Sequence, residues 1–179
     1  MNKSIAVSRV FPQASAIHAR VAGSHFHDSY SIDVANASRT ALGHFFDTVA
    51  QTPGWVNVLM AMRNRVVALF GLKHLGHLGK VDAAKPEQAY APGDRVGIFT
   101  LVSNTPDEVI LEDNDKHLHV MLSVLRLPPG ASGTRAIAVS TVVHIHNTLG
   151  RLYMIPVAPI HKLIVPSVLA RIARIRPAA

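Results

Sequence analysis

Apolar and polar positions divide the chain into one strand, two helices, a run of further strands and a long apolar helix. From Ser24 to Asn36, Phe26, Tyr30, Ile32 and Val34 share one side of an extended chain. His25, His27, Ser29, Ser31 and Asp33 share the other, which predicts a half-buried strand. Leu42, Phe45, Phe46 and Val49 then recur at helical spacing behind Ser38, a residue type able to cap a short amphipathic helix. Thr52-Pro53 restarts a helix, whose face is marked by Trp55, Leu59, Met62, Val66 and Phe70 until Gly71 closes it. Between residues 72 and 94, Gly76, Gly79, Pro86, Pro92 and Gly93 interrupt every period, and no element is predicted there.

Strand-sized runs follow at Val96–Val102, Glu108–Glu112, His117–Arg126 and Arg135–His146. The turn-rich pieces between them, Ser103 to Asp107, Asp113 to Lys116 and Pro128 to Gly130, predict antiparallel hairpins in a meander. Asn147 is placed to cap a last helix carrying Leu149, Leu152, Tyr153, Ile155, Ile160, Leu163, Ile164, Val168 and Ile172. Its window Leu152 to Ala170 is nearly long enough for a membrane span. Pro156, Pro159 and Pro166, with His161 and Lys162, favour a buried amphipathic helix instead, so no transmembrane segment is expected.

Strand, two helices, antiparallel strands and a long final helix is the element order of the helix-grip fold of START-like proteins, an α+β class in which a curved antiparallel sheet wraps a C-terminal helix. The runs GDRVGIF at 93–99, His117-Leu118 after an acidic turn, TVVHIHNTLGRLYM at 141–154 and PIHKLIVPSVL at 159–169 sharpen the likeness. With His25 to Tyr30 and Pro53-Gly54-Trp55, they resemble the bacterial START-like family catalogued as domain of unknown function 2867. That resemblance implies the helix-grip fold and a cavity for an apolar ligand, and it brings no activity with it. Residues 1–23 are expected to form an N-terminal arm, and residues 24–179 one START-like domain.

Composition narrows the function classes. The 179 residues suffice for one domain that buries roughly 70% of its unfolded surface. Apolar residues make up 49% and aromatics 6%, so the core must be mainly aliphatic. There is no cysteine, which removes disulfides, thiolate metal sites and thiol nucleophiles together. Only Ile5 to Val7 is apolar near the start, too short for a signal-peptide core, and a cytoplasmic location is expected. The net charge of +7 favours anionic partners in general. The basic residues are nevertheless scattered without interleaved aromatics, so nucleic acid is not expected as a partner.

Motifs for nucleophilic and phosphate chemistry are missing: the chain has no Gly-x-Ser-x-Gly, no phosphate-cradling Gly-rich loop, no Gly-x-Gly-x-x-Gly and no His-Glu-x-x-His. Three His-x-His pairs, at 25/27, 117/119 and 144/146, would project pairwise from strands. The alternation puts them on the polar faces, so solvated histidines are expected rather than a metal site, and no cofactor is predicted. A second set, Tyr30, Trp55, Thr100, His117, Thr141, Tyr153 and His161, interrupts otherwise apolar elements. The fold that the resemblance implies would turn these residues toward one cavity, where a few polar groups would orient a small apolar or amphipathic ligand. The rival expectation is an enzyme in the same cavity, with His117 or His161 as general acid or base or as part of a metal site. The ligand's identity and the oligomeric state, a homodimer included, are left open by the sequence.

Overall fold

The computed structural model describes residues 11–36, 38–59, 61, 85–130 and 134–172. It is an α+β arrangement. The elements in order are strand β1 (Phe26–Val34), helix α1 (Ala41–Ala50), helix α2 beginning at residues 54–59, strands β2 (Arg95–Val96), β3 (Phe99–Asn104), β4 (Glu108–Asn114), β5 (Leu118–Arg126) and β6 (Arg135–Ile145), and helix α3 (Thr148–Ile172). The expected face of the second helix beyond Leu59, at Met62, Val66 and Phe70, lies outside the described residues.

The six strands form one curved antiparallel sheet in the order β1-β6-β5-β4-β3-β2. Strands β2 to β6 are the predicted meander, and β1 returns to pair with β6 from Phe26↔Val143 to Val34↔Arg135. The predicted single strand over 96–102 is in fact a hairpin. Gly97 takes φ +62° between β2 and β3, a backbone state that favours glycine and reverses the chain in two residues.

One sheet face carries the main core. Tyr30, Ile32 and Val34 of β1, Leu111, Val124 and Val139 of the central strands, Ala41, Leu42 and Phe45 of α1, and Leu169 and Ile172 of α3 pack into one cluster. Helix α1 is capped by Thr40, whose Oγ1 accepts from Gly43 N at 3.0 Å, rather than by Ser38. Ser38 instead turns back onto Asn36 Oδ1 through its own N–H and hydroxyl. The local sequence allows either cap, and the start of α1 is set by Ala41 N donating to Pro106 O.

The opposite face is covered by part of the segment expected as an arm. Phe11 and Ile17 are buried against Ile110, Met121 and Val142. Glu108 pins this strap by accepting from Ser15 Oγ at 2.6 Å and Ala16 N at 3.0 Å. The two apolar anchors follow no helical or strand period, which is why pattern reading passes over them.

His44 of α1 is 2% exposed, and neither ring nitrogen has a hydrogen-bond partner. Burial pushes its imidazole below the usual histidine value. The unfolded chain takes up this proton near pH 6.5 and the folded chain only at lower pH. Stability should therefore fall as pH drops below about 6.5, until the folded-state value is passed. His44→Leu is expected to add about 1–2 kcal/mol near neutrality and more at pH 5, by removing the unpaired polar atoms and the proton linkage. Urea unfolding at pH 5 and 7.5 would expose an error if the variant kept the wild-type pH slope.

Candidate functional site

Helix α3 differs from the buried amphipathic helix that the spacing predicted. Asn147 does cap it, with Oδ1 accepting from Gly150 N at 3.0 Å. Its buried residues are only Gly150, Met154, Val168, Leu169 and Ile172, while Leu152, Ile155 and Leu163 are 59–69% exposed. Apolar residues run around the whole helix, so no single face can bury them all. By length and composition α3 could cross a membrane, and 17% of its most apolar window is buried.

The prolines respect this split. Each removes the donor to the carbonyl four residues earlier, which for Pro156, Pro159 and Pro166 means Leu152, Ile155 and Lys162. All three of those residues are exposed.

Between α3, α1, the start of α2 and the sheet lies a cavity of 510 Å³. Its floor is Leu122, Val124 and Val139 of the sheet, and its walls include Phe45 and Val49 of α1, Val56 of α2, and Val157, Ile160 and Val165 of α3. Several of these apolar side chains are only half-buried, because the surface they keep faces the cavity. The lining runs along α3 from Tyr153 to Leu169, about 24 Å of helix. Four lining residues carry side-chain polar atoms: Thr48, Thr52, Tyr153 and His161. Both threonine hydroxyls are engaged within the helical region, Thr48 donating to His44 O at 2.7 Å and Thr52 to Thr48 O at 3.4 Å.

His161 stands differently. Its Nε2 lies 3.3 Å from Asp28 Oδ1 on β1 and 3.3 Å from Thr141 Oγ1 on β6. Asp28 and Thr141 are register partners across the β1–β6 ladder, so two neighbouring strands aim one carboxylate and one hydroxyl at the same ring nitrogen. The Phe26 ring closes the other side edge-on, 5.6 Å between centroids. The Asp28 side chain is 12% exposed, and its Oδ2 is buried without a partner. Next to it, Tyr30 is 5% exposed, and burial together with the Asp28 charge raises its hydroxyl to about 12. Tyr30 is therefore a neutral phenol throughout the working pH range.

Of the seven residues read from the sequence, Tyr153 and His161 line the cavity, and Thr141 and Tyr30 stand behind it in the polar cluster. The other three are elsewhere. Trp55 is 44% exposed while its neighbour Val56 faces the cavity, because α2 turns the opposite side inward. Thr100 sits on the reverse of β3 from Phe99 and accepts from Arg95 at 3.1 Å. His117 is half-buried in the turn before β5, with Nδ1 3.2 Å from Asn147 Oδ1. Asp28 was missed by pattern reading. Its signal was a carboxylate in the inward register between Phe26 and Tyr30, where alternation calls for an apolar residue.

The His-x-His pairs do fall in register, His119 opposite His144 with His146 N donating to His117 O. Their rings turn to separate protein partners, His119 to Glu112 at 2.8 Å and His144 to Arg20 O at 2.9 Å. Among the described residues no group of three or more side chains is arranged to hold a metal ion.

A family model described as protein of unknown function, DUF2867, matches residues 20–168. The chain belongs to the DUF2867 family. The matched span reaches from before β1 to Val168 of α3, so it includes Asp28, Thr141, Tyr153 and His161 of this DUF2867 protein. Neither the curated proteins nor the solved structures contain a match to it.

Proposed function

We propose that this DUF2867 protein binds a small apolar or amphipathic molecule between its sheet and α3, in a START-like helix-grip arrangement. The observation that carries this reading is the 510 Å³ cavity, lined largely by aliphatic side chains, with Tyr153 near the N-terminal end of α3 and His161 at its middle. Small-ligand pockets span roughly 300–1,000 Å³ and combine mostly apolar walls with a few polar groups. Burial of apolar surface supplies the affinity and the polar cluster the orientation. Native mass spectrometry against a denatured control, with titration of N-phenyl-1-naphthylamine, tests the reading. An organic mass released on denaturation, or saturable uptake of the dye, is the expected result. A bare chain that takes up no dye would sink it.

In this reading α3 is a wall of the cavity and not a membrane span. The three prolines weaken α3 as a span, since each removes a backbone donor that lipid itself cannot replace. The protein is accordingly expected in the supernatant after pelleting of membranes and in the pellet if α3 spans.

The Asp28–His161 pair favours a second reading, proton transfer on a bound molecule. A carboxylate fixing one imidazole nitrogen leaves the other to act as a base. His161→Gln should then abolish exchange of a carbon-bound proton of the co-purifying molecule with D₂O. Exchange no faster than for the free molecule would rule the reading out.

A further inference from the structure

We propose that the polar end of the ligand is a neutral hydrogen-bond donor, an alcohol or phenol hydroxyl on an apolar body, and that His161 Nδ1 receives it; this rests on the cavity reading above. An ionised carboxylate only accepts, so the contact with Asp28 Oδ1 requires Nε2 of His161 to carry the ring proton. Thr141 Oγ1 at the same distance can share that proton as a second acceptor. In neutral imidazole the two nitrogens have opposite roles, and Nδ1 is left with a lone pair. Among the described residues Nδ1 has no protein partner, while the ring itself lines the cavity.

The surroundings select against other headgroups. A carboxylate or phosphate ligand would bring negative charge to a lone pair backed by the 12%-exposed Asp28 side chain, whose Oδ2 is already without a donor. The neighbouring Tyr30 stays protonated and adds no positive charge. Lys162, the next residue on α3, is exposed and holds its Nζ 6.0 Å from the Phe26 ring centre. An ether or hydrocarbon would fill the apolar length of the cavity and leave Nδ1 unpaired. Only a donor satisfies the ring without importing charge.

The test compares 1-decanol, 1-methoxydecane and decanoate at pH 8, each displacing N-phenyl-1-naphthylamine from the full chain. Closely matched alkyl chains are thus paired with a donor, a pure acceptor and an anion. The expected result is about tenfold tighter displacement by decanol than by either of the others. In His161→Leu the ratio of decanol to ether should shrink to near one. Equal binding of decanol and ether to the wild type would overturn the donor assignment while leaving the cavity reading in place. Tightest binding by decanoate would overturn it too, in favour of an anion site. An undiminished alcohol preference in His161→Leu would remove His161 as the acceptor. If none of the three displaces the dye, and the dye itself does not bind, the cavity reading fails first.

Discussion

Gly150→Ala is expected to destabilise the protein by about 3 kcal/mol and to loosen the N-terminal end of α3. In an exposed helix the same change would stabilise by roughly 1 kcal/mol, since alanine is the better helix former. Here the sign reverses. A Cβ on Gly150 would lie 2.3 Å from His117 O and 2.9 Å from Ile145 Cγ2, and the first of these is backbone that cannot rotate away. The clash forces the first turn of α3 off the β5–β6 hairpin. Tyr153 and Met154 follow in the next turn, where Met154 packs with Leu118 and Val143, so ligand affinity should fall together with stability. Gly54→Ala is the control, because nothing lies within 4 Å of the Cβ it would gain. Thermal and urea unfolding of both variants decide the matter: a stabilised Gly150→Ala would mean that α3 does not seat on the hairpin.

Leu122→Trp is the second large effect, at least a hundredfold loss of dye or ligand binding with less than about 1 kcal/mol change in stability. Leu122 sits on the cavity floor in β5 and is only half-buried, and its side chain has the cavity in front of it. Enlarging a residue in a filled core usually costs 1–3 kcal/mol through strained side chains. Space already present beside Leu122 absorbs the indole instead. The two readouts separate the alternatives. Lost binding with lost stability would describe a packed core disrupted by the tryptophan. Retained binding with retained stability would place the ligand elsewhere.

The polar cluster shows where reading from sequence stops. Tyr153 and His161 could be singled out because each breaks a run of aliphatic residues on one helix. Thr141 and Tyr30 could be singled out for the same reason on strands. Trp55 and Thr100 look equally conspicuous but point away from the cavity, since one residue of rotation on a helix or one step on a strand exchanges inside for outside. His117 was singled out on the same ground, and the structure places it half-buried in the turn before β5, beside Asn147 and away from the cavity. Asp28 escaped notice because a lone carboxylate on a strand reads as an interruption of the pattern until its partner, 133 residues later, is seen beside it.

The sequence by itself determined the period-bound features: the extents of β1, β4, β5 and β6 to within a residue or two, the meander order, the Asn147 cap, and an α3 long and apolar enough to organise the rest. These follow from alternation, helical spacing and turn chemistry, which act between near neighbours. Tertiary structure alone decided that residues 11–23 strap the outer face of the sheet, that residues 96–102 fold back as a hairpin, and that α3 leaves Leu152, Ile155 and Leu163 exposed. It also decided that Asp28, Thr141 and His161 meet at one nitrogen. Each of those outcomes depends on contacts between residues far apart in the chain, and no local period encodes which distant surface a side chain will meet.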